Sequence, residues 1–154
     1  MSVRIVTNYL DNNKLFEIQN LMMSGSIPWY QYPNLIFRHP VIIDNEFFSP
    51  FSLNFKYLIE SIDTKKIHSA VFELYPRTEK IINNEYHTIV NQPSLECHTS
   101  ILYLNSNNGY TELLKINKIN CESNKLVTFK TMTPHRESTS TDKNKLLFKI
   151  TYEL

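Results

Sequence analysis

A change of period near residue 67 constrains this chain more than any other feature. Before it, apolar residues recur at helical intervals in two places. Asp11 and Asn12 can cap a helix running to about Met23, with Leu15, Ile18, Leu21 and Met22 on one face. Phe51, Phe55, Leu58 and Ile62 mark a second amphipathic stretch over 51–62. Residues 3–10 read as a short strand or extended lead-in, 24–33 as a turn-rich loop, and 35–43 as an extended segment interrupted by Pro40. After residue 67 the segments IHSAVFELYP, TSILYL, YTELL, KLVTFK and LLFKITYEL are short, β-branched and aromatic. Turn signals separate them, and NSNNG at 105–109 reads as a hairpin turn. Two helices followed by six to eight strands predict an α+β chain, an antiparallel sandwich or jelly roll with helices on one face. No linker or repeat divides it, so 1–154 reads as a single domain, with a helical front over about 1–66 and a sheet core over about 67–154.

Turn chemistry must come from an unusual source. The chain has one Ala (Ala70), two Gly (Gly25 and Gly109) and 17 Asn, so Asn is expected at the left-handed turn positions. A formal net charge of +1 gives no basic footprint for nucleic acid. No apolar run approaches the 18 residues of a membrane span, and the N-terminus turns polar too early for a signal peptide. Cys97 and Cys121 form no CxxC pair, which points to reduced thiols and a cytoplasmic setting.

Five histidines carry what chemistry the sequence offers. His39 and His68 read as ordinary hydrogen-bonded imidazoles, since neither has company in the sequence. His87 ends LYPRTEKIINNEYHT, His135 sits in TPHRES before the last strand, and Lys145 follows ten residues later. Two histidines on neighbouring strands with a cation beyond them suit an iron site with an acidic cosubstrate.

These blocks, LYPRTEKII with YHT, ILYLNSNNGYTE, SNKLVTF and PHR…TDK, resemble the small prolyl-4-hydroxylase-like 2-oxoglutarate/Fe(II) dioxygenases of phage and marine microbes. The resemblance spans 70–154 nearly without gaps and touches the front at NYLD and IPWY. It implies a double-stranded β-helix (jelly roll). It also implies Fe(II) held by a His-x-Asp pair and a distal histidine, and 2-oxoglutarate held by a basic residue on a late strand. Matched to this chain, His87 and His135 stand for metal ligands and Lys145 for the cosubstrate's basic partner. Tyr103 and Thr111 are expected to add hydrogen bonds to the same carboxylate.

The departures carry as much weight. His-x-Asp reads His87-Thr88-Ile89, so a hydrocarbon stands at the carboxylate's position and is expected to line the pocket. Glu85 and Glu96 are the nearby acids that could replace it. The acidic-Gly turn is Leu114 to Asn117, Phe-Asp is Phe129-Lys130, and the Gly after His-Arg is Glu137. The expected function is therefore an oxygenase-fold protein with a degenerate metal triad and no catalysis. It would bind a small anionic ligand through Lys145, Arg136 and Arg77, or a protein partner, as a viral sequestering protein would. For a phage-borne gene the compartment is the host cytoplasm. The alternative is an active hydroxylase of prolyl or similar side chains, using Fe(II) and 2-oxoglutarate. A homodimer paired edge to edge through LLFKITYEL is a further expectation.

Overall fold

The computed structural model describes residues 2–88 and 96–154. In chain order its elements are β1 (Arg4–Val6), α1 (Asn12–Met23), β2 (Tyr30–Tyr32), β3 (Ile36–Ile43), β4 (Glu46–Phe47), α2 (Ser52–Glu60), β5 (Lys66–Tyr75), β6 (Cys97–Tyr103), β7 (Tyr110–Leu113), β8 (Asn117–Asn120), β9 (Lys125–Lys130), β10 (His135–Glu137) and β11 (Lys145–Glu153). The strands form two antiparallel sheets. The larger runs β1-β9-β6-β11-β5-β3-β2, with β4 on β3, and the smaller runs β10-β7-β8. Bridges Asn83 to Ser138 and His87 to His135 lay the 83–87 segment along the free side of β10. The result is a jelly roll with two small helices.

The larger sheet is buried on both faces, because strand side chains alternate and each set has its own partner. Ala70, Phe72, Leu102, Leu146, Phe148 and Ile150 pack against α1 and α2, which supply Leu15, Ile18, Met22, Phe55, Leu58 and Ile59. The opposite face, with Tyr75, Ile101, Tyr103, Val127, Phe129 and Leu147, meets Leu113 and Ile119 of the smaller sheet. Helix α1 starts where the sequence predicts, the Asp11 carboxylate accepting from the Asn13 N–H at 2.8 Å. Helix α2 has no side-chain cap and is held by its buried face. Asn8, Asn34, Asn45 and Asn124 all take positive φ, as the scarcity of Gly requires.

Two expectations are corrected. NSNNG does not close a hairpin: β6 belongs to the larger sheet and β7 to the smaller, so the turn carries the chain between layers. The hairpin at this edge is β7–β8 instead, turned through Lys115 at φ 62°. LLFKITYEL is not an edge either. Strand β11 pairs with β5 on one side and β6 on the other, so its backbone is spent and offers no dimer seam. No helix among the described residues is long and apolar enough to cross a membrane.

Candidate functional site

The space between the sheets is polar at its centre, and β11 explains why. Its alternation puts Leu146, Phe148 and Ile150 toward the helices and Lys145, Leu147 and Lys149 toward the interior. Lys145 is 0% exposed. Its Nζ donates to Glu137 Oε2 at 2.5 Å, to the Tyr110 carbonyl at 2.8 Å and to the Ser138 carbonyl at 3.1 Å. Thr111 Oγ1 bonds both oxygens of Glu137, at 3.0 and 2.8 Å, and accepts from the Tyr103 hydroxyl at 2.6 Å. The Tyr75 ring lies 5.2 Å from the ammonium. Gly109 lets the chain pass this close: a Cβ there would stand 2.8 Å from Asn107 Oδ1 and 2.9 Å from the Thr139 carbonyl. Lys145 and Thr111 therefore both bond the chain's own Glu137 carboxylate, and Tyr103 reaches it only through Thr111.

An ammonium has three donors, and all three are taken. A second carboxylate entering this seat would find no free hydrogen and would face Glu137 at contact distance. The residues present do not fit the distal carboxylate of 2-oxoglutarate. The polarity of the neighbouring groups follows the same logic. Burial pushes the Tyr103 and Tyr75 hydroxyls well above their ordinary pKa, with the Glu137 charge adding to it. Burial also pushes the Cys121 thiol up to about 12, against the pull of Lys145. Cys121 and Cys97 are both buried cysteines.

Four residues further along β11 on the same face, Lys149 Nζ sits 2.7 Å from Glu73 Oε1, while Arg38 Nε reaches Glu73 Oε2 at 2.7 Å. Burial alone would raise the Glu73 carboxyl, but Lys149 and Arg38 overcome it and hold the group down to about 2. Sequence reasoning missed all three residues. The available signals were a glutamate inside the apolar VFELY strand and two lysines four apart on an alternating one.

His87 and His135 face each other across their bridge, ring centroids 4.4 Å apart. His135 is fully buried, Nδ1 toward the Thr133 carbonyl at 3.0 Å, and its Nε2 has no hydrogen-bond partner. Burial lowers the pKa of both, and Lys149 lowers it further, bringing His135 to about 4. The pair has the donors to begin an iron site, yet the strongest charge acting on it is a cation. Among the described residues no carboxylate or thiol joins it to make a three-ligand group. Ile89 lies outside the described residues. Glu85 offers His87 Nδ1 only its backbone carbonyl, at 3.4 Å, and Glu96 stands 3.6 Å from Lys130.

Arg136 is corrected from pocket residue to outer surface. With His135 and Glu137 facing in, alternation turns it out, where it pairs with Glu112 at 2.6 Å and stacks on Tyr86. Arg77 lines a cavity of about 510 Å³ with Asn34, Asn83, Asn84, Glu85 and Tyr75, the last of which also lies against Lys145.

No protein-family profile matches the chain, and no curated protein sequence does. Solved structures do match. A prolyl hydroxylase from Trichoplax adhaerens, solved with a hypoxia-inducible factor peptide fragment, is 16% identical with a TM-score of 0.68, over 98% of this chain and 83% of its own. The viral collagen prolyl hydroxylase of Paramecium Bursaria Chlorella virus-1, solved with 2-oxoglutarate, is 11% identical with a TM-score of 0.67, over 100% and 97%. HygX from Streptomyces hygroscopicus, with nickel and 2-oxoglutarate bound, is 8% identical with a TM-score of 0.67, over 98% and 82%. At these identities the likeness establishes the fold: this chain is built as the 2-oxoglutarate/Fe(II) oxygenases are, prolyl hydroxylases among them.

Proposed function

We propose that this chain is an oxygenase-fold protein that acts by binding and not by oxidation, with Glu137 standing where active relatives seat a cosubstrate carboxylate. The saturation of Lys145 by Glu137 and two backbone carbonyls carries this reading. Lys149, paired with Glu73 at 2.7 Å, is the largest charge acting on the histidine pair and disfavours positive charge on both rings, which supports the reading. With Lys145 engaged, recognition moves to the Arg77 cavity, where Arg77 and the Asn83 and Asn84 amides, beside Glu85, can meet a small anionic ligand or an acidic segment of a protein partner. The test is turnover, read as succinate. Purified protein given Fe(II) anaerobically and then oxygen with 2-oxoglutarate should release no succinate. Succinate release, kept in Cys97→Ser and lost in His135→Ala, would overturn the reading.

One observation favours a second reading, an active Fe(II)/2-oxoglutarate hydroxylase of a prolyl or similar side chain. The His135 Nε2 is buried with no partner, as an imidazole awaiting a metal would be. That reading requires the Glu137 carboxylate to leave Lys145, and the same assay decides between the two.

A further inference from the structure

The far end of β11 holds a separate cluster that the barrel chemistry does not use. His68 Nε2 lies 2.9 Å from Glu153 Oε1, the Cys97 Sγ lies 4.0 Å from the same oxygen, and all three ligand atoms fall within 4.8 Å of one another. They come from three adjacent strands, β5, β11 and β6, with Glu153 directly opposite Cys97 in register. A β-bulge brings in the third. Thr151 pairs with Ser69 and Tyr152 with Ile67, so His68 is the extra residue on β5. A bulge re-aims the side chain it carries, and here it turns the imidazole onto the Glu153 side. Eight residues of strand, about 27 Å, separate Glu153 from Lys145.

We infer that His68, Cys97 and Glu153 form a binding site for a divalent transition metal of the Zn²⁺ class. One imidazole nitrogen, one thiolate and one carboxylate make a borderline-soft set that suits Zn²⁺ or Co²⁺ and not Mg²⁺ or Ca²⁺. Thiolate plus carboxylate balance the charge of the ion, the thiol proton leaving to solvent as the metal–sulfur bond forms. Ligand atoms around tetrahedral zinc stand about 3.3–3.7 Å apart. The separations here bracket that spacing, so the site closes by small side-chain rotations. Cys97 and His68 are buried while the Glu153 side chain is 29% exposed, which leaves one open side for the ion and a fourth, water ligand. The bound ion would tie the end of the central strand to both its neighbours.

Co²⁺ titration tests this directly, because thiolate coordination gives a near-ultraviolet charge-transfer band that histidine and carboxylate ligands cannot. The wild type should develop the band at one equivalent and lose it on adding Zn²⁺. Cys97→Ser should abolish it and Cys121→Ser should keep it. Glu153→Gln, which keeps the side chain's shape and removes its charge, should weaken binding at least about tenfold. No band in the wild type, a band that survives Cys97→Ser, or one lost in Cys121→Ser would each overturn the site.

Discussion

Without its carboxylate at 137, Lys145 would keep only two backbone carbonyls around a fully buried ammonium. Breaking a buried pair from one side costs about 3–5 kcal/mol, because the partner stays charged and dry. Glu137→Gln should therefore lower stability by about 3 kcal/mol, read from the denaturant midpoint at unchanged m-value. A loss below about 1 kcal/mol would mean that Lys145 reaches water. Asn124 is a second residue with a defined task. At φ 66° its side chain accepts from the Leu10 N–H at 2.8 Å and donates to the Leu10 carbonyl at 2.7 Å, fixing the lead into α1 against β9. Asn124→Ala gives up two hydrogen bonds worth about 1 kcal/mol each and strains the left-handed backbone, so a loss of about 2–3 kcal/mol is expected on thermal or chemical unfolding. Glu73 sets the acid response. Its folded pKa of about 2 lies below the ordinary value of 4.5, so its contribution is full above pH 4.5 and fades as pH falls toward 2. Glu73→Gln should flatten stability against pH across that window. An unchanged slope would contradict the depressed carboxyl.

Strand β11 couples these residues, since its inner face carries Lys145 and Lys149 in one line while its outer face packs the helices. A double-mutant cycle belongs to this scale. Lys145→Met and Glu137→Leu should each be severe alone, and the pair together should recover at least about 2 kcal/mol, because apolar isosteres replace a buried ion pair at little cost. Simple additivity would show that the two charges do not act on each other. The alternation of KLLFKITYE made β11 readable as a strand, and the helical spacing with Asp11 made α1 readable nearly to the residue. What local pattern does not carry is the partner. A chain-terminal strand reads as an edge, yet β11 is central because β3, β5, β6 and β9 all join its sheet around it. NSNNG shows the same limit: turn residues declare a reversal, and only the packing of two sheets decides that it crosses between layers.

Across the whole molecule, the front helices and the smaller sheet cover opposite faces of the larger one. Between the sheets Lys145 and Lys149 meet Glu137 and Glu73, and Arg38 reaches Glu73 from a part-exposed position. The resemblance named Lys145, Tyr103 and Thr111 for a cosubstrate carboxylate and His87 with His135 for a metal; in the fold Lys145 bonds Glu137, Tyr103 bonds Thr111, and the two imidazoles lie side by side. It noted Glu137 only as a departure from glycine. The carboxylate's place became visible once the β10 register put residues 135 and 137 on one inward face and turned Arg136 out. Lys149 and Glu73 were unreadable for a related reason: a charged residue in a strand looks solvated until both sheets close over it.

The central claim is that Glu137 fills the seat of an external carboxylate, and anaerobic titration calorimetry with 2-oxoglutarate on the wild type and on Glu137→Gly tests it most directly. The wild type should show no binding heat, and Glu137→Gly, with Lys145 released, should bind 2-oxoglutarate and gain thermal stability from it. Binding of 2-oxoglutarate by the wild type as tightly as by Glu137→Gly would contradict the account.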